Sequence, residues 1–209
     1  MKTITTQEAI RFSRQILLPG FDLDKQEVLL SSRVLIIGLG GLGCGAAQYI
    51  VAAGAGKLTL VDDDLVDSSN LQRQILHREK DVGVNKAISA KQSLIEIRSD
   101  CEINAIQKRL NEEELSKLAQ QHHIIVDCCD NLDTRNQLNR ISVSTDTPLV
   151  SGAAIRMEGQ VSSFIPSPEN ACYACLSSLF SEQQLTCVEA GVMSPLVGII
   201  GSMQALETI

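Results

Sequence analysis

Gly38-Leu-Gly-Gly-Leu-Gly43 sets glycines at 38, 40 and 43, and Asp62 follows 24 residues after Gly38. Glycines at this spacing let a chain turn tightly out of a strand, bring its backbone close to a phosphate, and enter a helix whose amino end favours negative charge. The acid can accept from ribose hydroxyls. A nucleotide site is the functional reading of this pair, and a ligand-free tight turn is the bland one. The turn alone does not say which nucleotide binds, and taken by itself it suggests NAD. No Gly-x-x-x-x-Gly-Lys-Ser/Thr is present, which excludes a P-loop.

Further on come Ser69-Asn-Leu-Gln-Arg-Gln74, Lys86, Asp127-Cys-Cys-Asp-Asn131 and Arg135-Asn136. Moving an AMP group onto a carboxylate brings two anions together and expels pyrophosphate. That chemistry needs cations around the triphosphate and a carboxylate to hold Mg²⁺. Arg73 and Lys86 can supply the cations, and Asp130 the carboxylate. A hydride-transfer enzyme needs neither set and would want a His or Tyr at the reacting centre. His77, His122 and His123 are unpromising positions for that role. Each residue also has a plain alternative: Arg73 as a solvated loop residue, Lys86 on an exposed helix face, Asp130 as the cap of a helix starting at Asn131.

Cys172-Tyr-Ala-Cys175 is a C-x-x-C that suits a redox pair or half of a four-ligand zinc site. Its position, read as a loop away from any strand-to-helix redox motif, disfavours the redox reading. Cys44, Cys101, Cys128 and Cys129 lie in or beside elements and read as packing residues.

The elements that would carry these residues follow from hydrophobic patterning. Thr6 to Ser32 reads as two short helical pieces around Pro19-Gly20, with Arg11 and Arg14 on one face. Arg33 to Gly38 is a continuous apolar run, typical of a strand buried on both faces of a parallel sheet. Helix is expected over Leu42–Ala53, Asn85–Arg98, Asn111–Gln120 and Asn131–Ile141. Strand is expected over Lys57–Asp62, Glu102–Ile106, His123–Asp127 and Pro148–Ser151. Asp63 to Gly83 reads as a long loop with a helical turn. The alternation predicts an α/β fold, a doubly wound and mostly parallel sheet of Rossmann-like type. It has an N-terminal helical arm and a C-terminal extended and helical region. The expectation is one domain over 1–209, with an arm over 1–32, a nucleotide-binding core over 33–151, and a Cys-containing region over 152–209.

A net charge of −7 argues against nucleic-acid or anionic-membrane partners. Seven cysteines without an export signal suit a reducing, cytoplasmic setting rather than a disulfide framework. The apolar stretch from Pro195 to Ile209 is too short to span a bilayer.

In order and spacing, these motifs together resemble the ubiquitin-activating-enzyme-like adenylyltransferases over nearly the whole chain. The resemblance implies that Gly38, Gly40, Gly41, Gly43 and Asp62 contact the nucleotide. It adds Ser69, Asn70, Leu71, Gln72, Arg73 and Lys86 around ribose and phosphates, and Asp130 with Asn131 at Mg²⁺. Arg14 matches a family arginine that reaches the triphosphate of a neighbouring subunit, which implies a homodimer. Cys172 and Cys175 match half of a zinc site whose second C-x-x-C does not occur here, so a shortened chain is expected, with Zn²⁺ bound only if that pair is supplied. Cys187 matches a cysteine that in some relatives is acylated or carries sulfur, and a plain thiol is the equal alternative. Ser151–Gln160 and Leu185–Val192 resemble the molybdopterin-pathway branch. Its partner is a small ubiquitin-fold sulfur carrier ending in Gly-Gly, activated with ATP. The alternatives are the thiamine-pathway branch, an NAD-dependent oxidoreductase, and a non-catalytic carrier-binding relative.

Overall fold

The computed structural model describes residues 3–179 and 190–209. Six strands form one sheet in the order β3-β2-β1-β4-β5-β6. They are β1 (Arg33–Ile37), β2 (Lys57–Val61), β3 (Glu102–Ile106), β4 (Ile124–Asp127), β5 (Leu149–Ile155) and β6 (Glu158–Phe164). The first five pair in parallel, and β6 returns antiparallel to β5. The chain winds outward from β1 through β2 to β3, then crosses to the other side of β1 for β4. That reversal leaves a crevice at the carboxyl ends of β1 and β4, the place where open α/β sheets bind ligands.

The apolar runs of β1, β2 and β4 are buried on both sides, as crossover helices require. One core cluster joins Val34, Ile36, Leu58 and Leu60 to α4 (Gly41–Ala53) and α5 (Lys86–Ile97). The other joins Leu35, Ile37 and Ile125 to α6 (Glu112–Ala119) and α7 (Leu132–Thr145). Asn111 caps α6 by accepting from the Glu114 backbone N–H, while the Glu114 carboxylate accepts from the Asn111 N–H.

The arm holds three helices rather than two pieces: α1 (Thr6–Arg11), α2 (Ser13–Ile16) and α3 (Leu23–Leu30). The first break falls at Phe12, which is buried and sits 5.8 Å under the Arg98 guanidinium. Helix α7 runs four residues beyond its expected end at Ile141, to a left-handed Asp146 two residues before Pro148. Proline excludes helix from the residue before it, so Pro148 supplies the stop rather than the fading apolar stripe. Strand β5 likewise continues past Ser151 to Ile155, because β6 supplies it with antiparallel partners.

Helix α8 (Tyr173–Ser177) follows, and α9 (Ser194–Thr208) closes the chain against α4. Glycines let these two helices touch. A Cβ on Gly201 would stand 2.3 Å from the Leu42 carbonyl oxygen, and one on Gly45 would stand 3.2 Å from that of Gly198. No helix among the described residues is long and apolar enough to cross a membrane.

Candidate functional site

At the carboxyl ends of β1, β2 and β4 lies a cavity of about 970 Å³. Gly38 leaves β1 with φ +92°, a left-handed conformation that costs only glycine nothing. A Cβ there would also collide with the Cys128 carbonyl at 2.8 Å. The turn ends at Gly40, the N-cap of α4, which offers no side-chain acceptor to the first free N–H groups of the helix. No acidic residue occupies that first turn, so no side chain of the helix itself offsets its positive amino end. Gly43 serves packing: its Cβ would fall 2.0 Å from the Gly38 carbonyl oxygen. Asp62 accepts from the Leu39 N–H at 2.6 Å and from the Asp64 N–H at 2.9 Å, which ties the tip of β2 to the glycine turn. Burial raises its carboxyl from the ordinary value.

Lys86 is not on an exposed face. It is 7% exposed at the first position of α5, and its Nζ donates to Asp64 Oδ2 at 2.7 Å. Asp64 is 68% exposed, so the partner of this desolvated ammonium remains in reach of water and of an incoming anion. Arg73 lines the cavity and donates to the Ser69 carbonyl at 3.0 Å. Asp130 is exposed at the rim. Asn131, rather than Asp130, caps α7 by accepting from the Thr134 N–H at 3.0 Å. The Asp130 carboxylate is thereby left to the cavity.

The structure thus gathers Gly38, Gly40, Gly41, Asp62, Arg73, Lys86, Asp130 and Asn131 around one space. It places Gly43, Ser69, Asn70, Leu71 and Gln72 outside the cavity wall. Ser69 and Asn70 belong to a 3₁₀ turn over Ser68–Asn70, capped by Asp67, that carries the loop leading to Arg73. Arg14 is exposed on α2 and does not line its own chain's cavity. Cys187 lies outside the described residues.

Cys172 and Cys175 do not sit in a loop: Cys172 is the N-cap of α8 and Cys175 lies within that helix. Their sulfurs stand 3.9 Å apart, and a hydrogen bond from the Cys175 backbone lowers the Cys172 thiol from its ordinary value. Two thiolates on a tetrahedral zinc, each about 2.3 Å from the metal, are roughly 3.8 Å apart, so the pair fits two corners of such a site. Cys44, Cys101, Cys128 and Cys129 are buried, and burial pushes the first two thiols up to about 12 and about 11. Packing is the role their positions support.

Two further cavity residues stand in the quoted motifs but were given no role there. Arg135 is 8% exposed and donates to the Cys129 carbonyl at 2.5 Å and the Gly152 carbonyl at 2.6 Å. It therefore fastens the Asp130 loop to β5. Its only sequence signal was the Arg135-Asn136 pair. Gln74 is 4% exposed, and its Oε1 has no hydrogen-bond partner.

A parallel sheet with a glycine turn at its switch point, a carboxylate at the tip of the second strand and two cations beside them defines a nucleotide-binding α/β protein. The ThiF family matches residues 12–209, and the chain belongs to that family. It is 53% identical to the molybdopterin-synthase adenylyltransferase of Escherichia coli (strain K12) over 209 residues, all of this chain and 84% of the relative. It is 49% identical to the enzyme of that name from Haemophilus influenzae, over all of this chain and 86% of the relative. The sulfur carrier protein ThiS adenylyltransferase of Escherichia coli (strain K12) is 43% identical over 97% of this chain and 81% of that one. Among solved structures, Escherichia coli MccB superposes with a TM-score of 0.84 at 22% identity, over 99% of this chain and 63% of that chain. This likeness shows a shared fold.

Proposed function

We propose that the chain is an ATP-dependent adenylyltransferase acting on the C-terminal glycine carboxylate of the small ubiquitin-fold subunit of molybdopterin synthase, in molybdenum cofactor biosynthesis. The observation that carries this reading is the convergence of the glycine turn, Asp62, Arg73, Lys86 and Asp130 on one cavity, in a chain 53% identical to a relative of that name. The lower identity to the thiamine-pathway relative, 43%, favours the molybdopterin carrier.

ATP lies with its ribose toward Asp62 and its phosphates toward the amino end of α4, Arg73 and Lys86. An anionic phosphate competes with Asp64 for the Lys86 ammonium, whose desolvation has already been met by the fold. The carrier's tail enters along β5 and β6, where Ala153, Arg156 and Gln160 continue the cavity wall. Its carboxylate attacks the α-phosphorus, the bond to the β-phosphate oxygen breaks, and pyrophosphate leaves. No general base is needed, because the nucleophile is already an anion. Catalysis rests on positioning and on cations that neutralise the converging charges.

Mg²⁺ commonly uses one or two carboxylates and completes its shell with phosphate and water, so a single exposed Asp130 is a sufficient protein ligand. When bound, the ion neutralises phosphate charge. Cys172 and Cys175 would hold Zn²⁺ given two further ligands. Arg14, exposed and outside its own cavity wall, serves the triphosphate of a second copy in a homodimer. Among the described residues every cysteine is a free thiol, which suits the cytoplasm.

ATP–pyrophosphate exchange with and without the purified carrier tests this reading. Exchange dependent on the molybdopterin-synthase subunit is expected. Exchange only with the thiamine-pathway carrier would reassign the branch, and silence with both would overturn the proposal.

A further inference from the structure

We propose that His77 is a positioning residue for the nucleotide: it sets the glycine turn by holding the Leu39 carbonyl from beneath while Asp62 holds the same residue's N–H. The inference rests on the nucleotide reading of the cavity and extends it to a side chain that does not line it.

His77 lies four residues after Arg73 in the same loop and is 3% exposed. Its Nε2 lies 3.0 Å from the Leu39 carbonyl oxygen, and its Nδ1 lies 2.8 Å from Ser89 Oγ. A carbonyl can only accept, so Nε2 carries the hydrogen that meets Leu39, while Ser89 has one hydroxyl hydrogen to share between Nδ1 and the Asp81 carboxylate. Burial lowers the imidazole from its ordinary value. Leu39 meets Asp62 Oδ2 through its N–H at 2.6 Å. Residue 39 is therefore gripped at both of its backbone polar groups, midway between Gly38 and Gly40.

Glycine turns are pliable, and their value as anion sites depends on N–H groups being held before the ligand arrives. The one imidazole joins three pieces of the site. Leu39 belongs to the turn, His77 to the loop that carries Arg73, and Ser89 to the helix that starts at Lys86. Ser89 Oγ is also 3.1 Å from Asp81 Oδ2, which accepts from the Arg78 N–H at 2.8 Å, so the chain of contacts ends on a fixed carboxylate. Losing the imidazole leaves the Leu39 carbonyl only the weaker Cys44 thiol, 3.4 Å away, and loosens the tie between the turn and the loop and helix that carry the two cations, without removing any group that faces the ligand.

The test compares His77→Phe, which keeps bulk but cannot donate, with His77→Gln, which can donate to Leu39 and accept from Ser89. Dissociation constants for ATP·Mg²⁺ and exchange kinetics with the carrier are measured at equal folded fraction by circular dichroism. Expected for His77→Phe is an ATP constant and ATP KM raised about tenfold, with the carrier KM within twofold of the parent. Expected for His77→Gln is recovery to within about threefold. Equal loss in both variants, or no change in either, overturns the inference. Should His77→Phe fail to fold, ¹⁵N spectra of the three imidazoles of the parent chain decide. An Nε2–H tautomer at His77 whose resonance moves on ATP addition supports it, and an Nδ1–H tautomer or an unmoved resonance overturns it. A parent chain that binds no ATP overturns both this inference and the proposed function; binding with unaffected variants overturns this inference alone.

Discussion

Lys86 and Asp130 represent two ways of making a charged group available to a ligand. Asp130 is left exposed because its neighbour Asn131 takes over the capping of α7. Asp130→Ala is expected to cut adenylation by about 100-fold or more while leaving the melting temperature nearly unchanged, since the only fold contact of that carboxylate among the described residues is a long, exposed hydrogen bond from Asn131 at 3.4 Å. Steady-state exchange and a thermal melt on one sample check both halves. Lys86 is instead buried and paired with an exposed carboxylate. Lys86→Met strands no buried carboxylate, so stability should shift by less than about 1 kcal/mol. ATP affinity should fall by about 10- to 100-fold, the worth of one charge-assisted hydrogen bond. Calorimetric titration with ATP·Mg²⁺ and a urea melt would show it, and a stability loss without an affinity loss would contradict the role. The sequence named both residues, because order and spacing carried them. It could not tell buried from exposed at Lys86, since that depends on Asp64 folding back from the end of β2.

At the scale of elements, α4 and α9 meet through glycines whose neighbours differ sharply. A Cβ on Gly201 meets the Leu42 backbone at 2.3 Å, whereas nothing lies within 4 Å of one on Gly198. Gly198→Ala is expected to stabilise the chain by about 0.5–1 kcal/mol through helix propensity. Gly201→Ala, three residues on, is expected to destabilise it by about 1–3 kcal/mol and to weaken ATP binding, because α9 is pushed from the helix that opens at the glycine turn. Urea denaturation of the two variants separates these outcomes, and the same sign for both would refute the packing argument. Nothing in the periodicity of residues 194–208 distinguishes the two glycines. Their difference is a property of what lies across the interface.

For the whole molecule, burial lowers all three imidazoles, His77, His122 and His123, from their ordinary value near 6.5. The unfolded chain then takes up protons that the folded chain refuses. For the two buried rings, His77 and His122, the associated stability is full above about 6.5 and is lost as pH falls through the depressed folded values, at up to about 1.4 kcal/mol per pH unit each. The urea midpoint should therefore fall from pH 7 downward. His122→Gln should flatten that fall, since His122 is buried between the Leu118 carbonyl and Thr59. An unchanged slope in that variant would show that His122 titrates freely. By itself the sequence determined the alternating α/β order, the glycine turn, and the residues Asp62, Arg73, Lys86 and Asp130, because hydrophobic period and motif spacing are local and survive as patterns along the chain. Tertiary structure alone decided the antiparallel return of β6, the C-x-x-C at the start of α8, the distance of Ser69–Gln72 from the cavity wall, and the tie from His77 to Leu39. The tie from His77 to Leu39 joins residues 38 apart in the chain, and the β6 return is a hairpin whose register with β5 no hydrophobic period announces, so both became visible only in the folded chain.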